Sequence, residues 1–179
     1  MSLTAEAELV LDPEKEYEIV NGQPEEKVMA SALHSGVGTR LIIEMGYYCK
    51  IHKLGALYGP DATFQIGINE RLPDVSFISA ARLPKDGEPT TKWMMVPDLA
   101  VEVVSPNDLY RKVMTKVKEY LSTGVKEVWL IEPELRLFTL YRSLTDFTVL
   151  SEEDELVSET ILPGFRLKLS ELFQLPNFS

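Results

Sequence analysis

Residues 97–106, with the sequence PDLAVEVVSP, constrain the fold of this chain more than any other segment. From Leu99 to Val104 every side chain is apolar except that of Glu102. Such a run predicts a central strand that is buried on both faces. A carboxylate in this setting is costly unless a metal ion, a basic side chain or several hydrogen bonds compensate its charge. Glu102 is therefore the first candidate functional residue.

The rest of the chain alternates between strand patterns and two helical patterns. We predict strands at 17–20, 23–29, 56–58, 62–68, 74–79, 98–104, 127–131, 135–141 and 146–150, with a hairpin at Asn21-Gly22. One helix follows Ser31 and ends near Lys53 to Gly55, with Gly55 as its end signal. A second runs from Asn107 or Asp108 to a stop at Gly124, and a short helix covers 170–173. Residues 69–73 are predicted as a turn and 81–92 as a surface loop.

This order predicts an α/β sandwich, in which a central mixed β-sheet is flanked by two main helices and extended by a β-meander at 135–150. We expect a single domain over residues 15–175, after a flexible lead-in of residues 1–14 with a turn at Asp12-Pro13.

Composition narrows the chemistry that is open to the chain. The 179 residues include a single cysteine, Cys49, which excludes an internal disulfide and a cysteine-built zinc site. Two histidines, His34 and His52, are too few for a histidine-rich metal site. Any metal would therefore have oxygen ligands, as Mg²⁺ or Mn²⁺ does. The formal net charge of −10 counts against a nucleic-acid role, because affinity for phosphate comes mostly from Lys and Arg.

Nothing in the sequence predicts a membrane or export segment. No stretch approaches the roughly 20 apolar residues that cross a bilayer. The first residues, MSLTAEAELVLDPEKEYE, have neither the basic region nor the apolar region of a signal peptide. We therefore expect a cytoplasmic protein that does not interact with membranes.

Two carboxylates could converge on a cation. Asp74 begins one predicted strand and Glu102 lies within the next. If these strands are neighbours, both side chains and the carbonyl of Val103 could bind one divalent ion, which needs only one or two protein carboxylates. The simpler alternatives are a strand-start cap for Asp74 and a buried salt bridge for Glu102.

The helix after this strand offers two lysines on the same side. Lys116 falls at the edge of the apolar stripe, so it can bury its stem and direct its ammonium towards Glu102. There it would polarise a phosphate or the attacking water, although a lysine at a helix boundary is commonly only solvated. Lys112, one turn earlier, could contact a phosphate, but a solvated charge is the simpler interpretation. The stripe consists of Leu109, Val113, Val117, Tyr120 and Leu121.

Two further residues have simple explanations on position alone. Alternation along YEIVNGQ places Glu18 opposite Tyr17 and Ile19, which is typical of an exposed glutamate. His34 opens the first helix, where a capping or surface histidine is more common than a general base or a substrate contact. The chain contains no phosphate-binding glycine loop, dinucleotide fingerprint, HExxH or nucleophile elbow, which leaves metal-assisted hydrolysis as the best-supported reaction class.

Taken together, the motifs resemble the Uma-type putative restriction endonuclease family, which is assigned to the PD-(D/E)xK nuclease superfamily. The resemblance covers residues 16–173, nearly the whole chain. It rests on YEIVNGQ, LHSGV, LPDVSFIS, PDLAVEVVSP, KVKEYLSTGVKEVWLI and LPGF, in this order.

The resemblance implies a restriction-endonuclease-like fold and a Mg²⁺- or Mn²⁺-dependent cleavage of DNA by an activated water. It makes Asp74 the PD aspartate and Glu102 the second acid. The superfamily's usual lysine position holds Val104 here, and Lys116 on the following helix supplies the lysine instead. Glu18 becomes an additional active-site acid. Tyr120, Gly124 and Trp129 match positions that we interpret as packing and turn residues.

Two other functions stay open at this stage. The fold could be a catalytically degenerate nuclease that serves as a nucleic-acid or protein binding module, which the net charge and the missing in-strand lysine favour. It could also be a metal-dependent hydrolase of a small phosphorylated substrate. A homodimer with an interface in residues 135–150 is expected only because nucleases that cut both strands often act as dimers.

Overall fold

The computed structural model describes residues 11–27, 30–106 and 108–175. Within these ranges the chain forms twelve strands and three helices. They are β1 (Tyr17–Val20), β2 (Gln23–Glu26), α1 (Ala32–His52), β3 (Gly55–Tyr58), β4 (Phe64–Ile66), β5 (Asn69–Arg71), β6 (Val75–Ser79), β7 (Leu99–Val103), α2 (Tyr110–Thr123), β8 (Glu127–Glu132), β9 (Leu137–Tyr141), β10 (Phe147–Ser151), β11 (Glu155–Val157), β12 (Arg166–Lys168) and α3 (Leu169–Phe173).

A six-stranded mixed sheet forms the centre of the structure, in the order β10-β9-β8-β7-β6-β3. Strand β7 pairs in parallel with β8 and antiparallel with β6, with Val75 opposite Val101. All five residues of β7 are buried. The prediction of a central mixed sheet with this strand in its interior is confirmed, as is the β-meander formed by β8, β9 and β10.

The two long helices cover opposite faces of this sheet. Leu99, Val101 and Val103 belong to the core that includes the buried side of α1, while Ala100 belongs to the core on the side of α2. This alternation follows from the period of two along a strand. Each fully buried aliphatic side chain contributes about 1.5–3 kcal/mol to folding. Glu102 lies two residues after Ala100, on the same face of β7, and therefore faces α2.

A second, four-stranded sheet has the order β2-β1-β5-β4. The predicted hairpin at Asn21-Gly22 is confirmed, and both residues have positive φ angles, of 52° and 76°. Strand β1 also pairs with β5, where Ile19 lies opposite Glu70. This pairing brings the N-terminal hairpin next to the segment that leads into β6, which positions part of the site described below.

Two local predictions are wrong in detail. Residues 69–73 were expected to form a turn, but β5 occupies 69–71, because Gly67 takes a positive φ of 60° and turns the chain earlier. Helix α1 ends where it was expected, with Lys53 as the C-cap residue in the left-handed conformation, but Gly55 is not the end signal and instead begins β3. Strands β11 and β12 were not predicted. The predicted strand end at Met29 lies outside the described residues.

The start of α2 also differs from expectation. Asn107 lies outside the described residues, and the Asp108 carboxylate accepts a hydrogen bond from the Ser105 backbone N–H at 2.7 Å rather than capping the helix. Leu109 takes the N-cap position without a side-chain bond and is 62% exposed, so it does not belong to the apolar face. The predicted end of α2 at Gly124 is confirmed, and Ser31 caps the N-terminus of α1 as expected.

Candidate active site

All seven residues predicted for the site line one cavity of about 390 Å³. They are Glu18, His34, Asp74, Glu102, Val103, Lys112 and Lys116. These side chains come from the strands β1 and β7, the residue directly before β6, the first turn of α1 and one face of α2. Residues that are far apart in the sequence therefore meet at one place, between the edge of the central sheet and the second sheet.

Glu102 is held by two residues of α2. The Tyr120 hydroxyl donates to Oε1 at 2.6 Å, and Lys116 Nζ donates to Oε2 at 3.2 Å. Lys116 and Tyr120 are four residues apart and share a helix face. Burial, together with the nearby charges of Asp74 and Glu18, raises the pKa of Glu102 despite the opposing effect of Lys116. An added positive charge beside this carboxylate would therefore stabilise its ionised form.

Lys116 bridges two carboxylates, with its Nζ 2.9 Å from Glu18 Oε1 and 3.2 Å from Glu102 Oε2. Burial lowers the pKa of this ammonium, but the two carboxylates outweigh burial and raise it above the ordinary value. Lys116 is consequently a fixed positive charge within the cavity, and the expectation that its ammonium points towards Glu102 agrees with the structure.

Glu18 is buried, so the exposed position that alternation favoured is wrong. Its Oε1 accepts from the Leu72 backbone N–H at 3.1 Å, and its Oε2 accepts from Arg71 Nη1 at 2.9 Å. The other side of the Arg71 guanidinium binds Glu119 at 2.7 Å. Burial raises the pKa of Glu18, but Lys116 and Arg71 outweigh it, and the net pKa is lowered. The acid is ionised and held in a fixed position.

The carboxylate of Asp74, directly before β6, binds the backbone of the neighbouring strand β7. Its Oδ2 accepts from the Val103 backbone N–H at 2.8 Å and lies 3.1 Å from His34 Nε2. Its Oδ1 is buried without a hydrogen-bond partner, and the Lys27 ammonium lies 3.2 Å away. Lys27 directs its hydrogen bond to the Leu72 carbonyl instead, at 3.0 Å. Burial raises the pKa of Asp74, but His34 and Lys27 lower it overall.

The two predicted substrate contacts differ in their surroundings. His34 is not a surface residue, because its side chain is only 12% exposed. Burial lowers its pKa, but Asp74 outweighs burial, so the pKa is raised and favours the imidazolium. Lys112 has a side chain that is 64% exposed and pairs with Glu25 at 2.9 Å. The simpler interpretation of Lys112 as a solvated charge agrees with this geometry.

Four residues of the site were not predicted as functional. Tyr120 was interpreted as packing, although it binds Glu102, and Arg71, Glu119 and Lys27 received no role. The role of Tyr120 could have been inferred from the sequence, because it lies one turn after Lys116 on the same face of the predicted helix. Arg71, Glu119 and Lys27 had none, since their positions depend on how β1, β5 and α2 pack together.

The donor atoms fit a hard divalent cation. Asp74 and Glu102 supply carboxylate oxygens to the same cavity that Val103 lines, and Oδ1 of Asp74 lacks a hydrogen-bond partner. Among the described residues, no group of three or more His, Cys, Asp or Glu is arranged to hold a metal. Mg²⁺ does not need one, because it binds through one or two carboxylates and keeps several water ligands.

The architecture places the chain in the class of restriction-endonuclease-like α/β proteins. It is similar to the crystal structure of a putative nuclease belonging to DUF820 from Anabaena variabilis ATCC 29413, with a TM-score of 0.82 and 21% sequence identity. The alignment covers 92% of this chain and 93% of that one. This likeness shows the fold.

The chain belongs to the Uma2 family, described as putative restriction endonucleases, whose model matches residues 5–170. The resemblance found in the sequence is thereby confirmed. No curated protein matches the chain. None of the helices in the described part of the chain is long and apolar enough to cross a membrane. Family and fold support a nuclease-like role.

Proposed function

We propose that the protein is a Mg²⁺- or Mn²⁺-dependent endonuclease that hydrolyses phosphodiester bonds in DNA. The observation that carries this proposal is the convergence of Asp74, Glu102, Lys116 and Glu18 on one cavity. These residues come from three strand segments and a helix, which the fold brings together around this cavity.

Asp74 and Glu102, with the Val103 carbonyl, would hold the cation. Once bound, Mg²⁺ would polarise a phosphoryl oxygen and activate the attacking water. Lys116, which stays protonated between two carboxylates, would stabilise the charge that develops on the phosphoryl oxygens. Glu18 would fix the position of Lys116, and it is itself held by Arg71. His34, as an imidazolium beside Asp74, would contact the substrate phosphate.

The charges that line the cavity explain why a cation is needed for substrate binding. Five Lys or Arg and six Asp or Glu line the cavity, so with His34 as an imidazolium the positive and negative charges are equal in number. A lining without excess positive charge does not by itself attract a phosphate backbone. A divalent cation would add two positive charges. Metal and DNA should therefore bind cooperatively, even though the whole chain carries a net charge of −10. The lining residues are Lys27, Arg71, Arg111, Lys112 and Lys116 against Glu18, Glu25, Glu26, Asp74, Glu102 and Asp108.

The proposal is tested with isosteric variants that remove one carboxylate at a time. Mg²⁺ and Mn²⁺ are titrated into the wild type, Asp74→Asn and Glu102→Gln by calorimetry, and the same samples are assayed for nicking of plasmid and single-stranded DNA. We expect metal binding and cleavage in the wild type, and the loss of both in the two variants. Asp86→Asn, an exposed carboxylate in the 81–92 loop, is the matched control and should behave as the wild type.

A catalytically degenerate binding module is the second candidate, and one contact favours it. Lys27 and His34 already lie within 3.2 Å of the two Asp74 oxygens, so the chain supplies its own counterions there. In that case no metal would bind in the calorimeter, and Glu102→Gln would be more stable than the wild type because it removes a carboxylate whose pKa is raised by burial. That pair of results would refute the nuclease proposal. The cytoplasmic location and the homodimer stay predictions.

A further inference from the structure

A second cavity, of about 280 Å³, adjoins the candidate active site. It lies beyond the carboxyl ends of β7 and β8, which are parallel and so end at the same edge of the sheet. Ser105, Asp108 and Val113 line both cavities, so an occupant of one is a direct neighbour of an occupant of the other. Ligand pockets usually measure about 300–1,000 Å³, and this cavity is suited to a small fragment of a ligand.

The lining of this second cavity favours a flat, uncharged group. Tyr110 and Leu135 line it and are 73% and 65% exposed, so their apolar surfaces are accessible to an occupant of the cavity. Val104, Pro106 and Leu130 also line it. Of the described residues that line this cavity, none is basic, and Asp108, Glu132 and Glu134 are acidic. A phosphate is therefore disfavoured, while a ring with amino groups could stack and donate hydrogen bonds.

We propose that this cavity holds an unpaired nucleobase of the strand whose phosphate occupies the candidate active site. The inference rests on the proposed nuclease function and adds the form of its substrate. Tyr110 would stack on the base, and Glu132 or Glu134 would accept hydrogen bonds from an exocyclic amino group, as acidic side chains do with cytosine. The two adjoining cavities would then separate the two parts of one nucleotide, with the phosphate at the cation site and the base on the apolar side.

This arrangement selects against intact duplex DNA. A base inside a duplex is stacked and paired, and extracting it costs a few kcal/mol, whereas a single strand or an unpaired nucleotide avoids that cost. The pairing of the basic residues acts in the same direction. Of the five basic residues that line the candidate active site, four are paired with carboxylates, namely Lys27, Arg71, Lys112 and Lys116, whereas duplex binding generally depends on many phosphate contacts made by Lys and Arg. We therefore expect preferential binding and cleavage of single-stranded DNA.

Fluorescence anisotropy with labelled oligodeoxycytidine tests the proposal, with Ca²⁺ replacing Mg²⁺ so that a hard divalent cation is present during the binding measurement. Stacking on an aromatic side chain contributes about 1–3 kcal/mol per base, so Tyr110→Ala should weaken binding by about 5- to 150-fold. Tyr110→Phe keeps the ring and should bind nearly as the wild type. Tyr47→Ala, at another exposed tyrosine that does not line the cavity, is the matched control.

A series of oligonucleotides, each with one abasic position, completes the test. One abasic position should weaken binding to the wild type as much as Tyr110→Ala does, and should have no further effect in that variant. If the wild type cleaves DNA but Tyr110→Ala and every abasic strand bind unchanged, the nucleobase site is wrong and the nuclease proposal stands. If the wild type neither binds nor cleaves any DNA, both proposals are wrong.

Discussion

The bond between Tyr120 and Glu102 provides the sharpest test of the candidate site. Replacing Tyr120 by Phe removes one hydroxyl from a fully buried ring and leaves the packing otherwise intact. The lost hydrogen bond measures 2.6 Å and has the carboxylate of Glu102 as its acceptor. Lys116, at 3.2 Å, remains as a donor to the other oxygen of Glu102. The change therefore removes a single interaction from the site.

Hydrogen bonds to charged groups contribute about 1.5–3 kcal/mol, and a buried partner that is left unsatisfied adds to the loss. We expect Tyr120→Phe to lower the free energy of unfolding by about 1.5–3 kcal/mol. For a chain of this length, 1 kcal/mol corresponds to about 2–4 °C in Tm. The expected decrease in Tm is thus about 3–12 °C, which urea denaturation and thermal melting can both detect.

The size of this loss should depend on pH. Burial raises the pKa of Glu102, so acidification converts its carboxylate to the neutral form. A bond to a neutral acceptor contributes only about 0.5–1.5 kcal/mol. The difference between wild type and Tyr120→Phe should therefore be largest at pH 8 and shrink towards acid pH. Urea denaturation at several pH values measures this difference directly.

Tyr141 offers a matched control, because the hydrogen-bond acceptor of its hydroxyl within the described residues is the Met114 sulfur, at 3.9 Å. Tyr141→Phe should change the free energy of unfolding by less than about 0.5 kcal/mol, since this sulfur is a weak acceptor. Equal losses in the two variants at pH 8, or a loss at Tyr120 that does not change with pH, would refute the charged bond to Glu102.

Three further predictions concern stability. Arg71→Met should cost about 3–5 kcal/mol in urea denaturation, because it removes a buried guanidinium from between two carboxylates; a loss below about 1 kcal/mol would contradict the buried network. Gly55→Ala should prevent folding, as judged by circular dichroism, because the added methyl would overlap the backbone carbonyl oxygen of Ile78. Gly38→Ala, within α1 and with open space around it, should instead stabilise the protein by about 0.5–1 kcal/mol. Asp74 has a lowered pKa in the folded state, so its contribution to the free energy of unfolding is present above its unfolded pKa of about 3.9 and is lost as the pH falls through the folded value. Asp74→Asn should therefore reduce the loss of stability between neutral and acid pH, and an unchanged loss would exclude this contribution of Asp74.

The sequence by itself determined the elements whose signals are local. Strand β7 follows from a continuous apolar run, and the predicted helix stops at Gly124 because a left-handed conformation there, with a φ of 103°, suits glycine. The same local information located part of the candidate site. An acid inside an apolar strand and a lysine at the edge of a helical stripe are both visible in the sequence, because burial follows from position within a periodic pattern.

Only the tertiary structure decided which side chains complete the site. Period-two alternation places Glu18 opposite its neighbours in β1, but it does not say whether that face meets solvent or protein. The face is covered because β1 pairs with β5 in a second sheet, which brings Glu18 to Arg71 and Lys116. The contact between His34 and Asp74 likewise depends on the packing of α1 against the sheet. Such contacts join residues that are distant in the sequence, and no local periodicity specifies them.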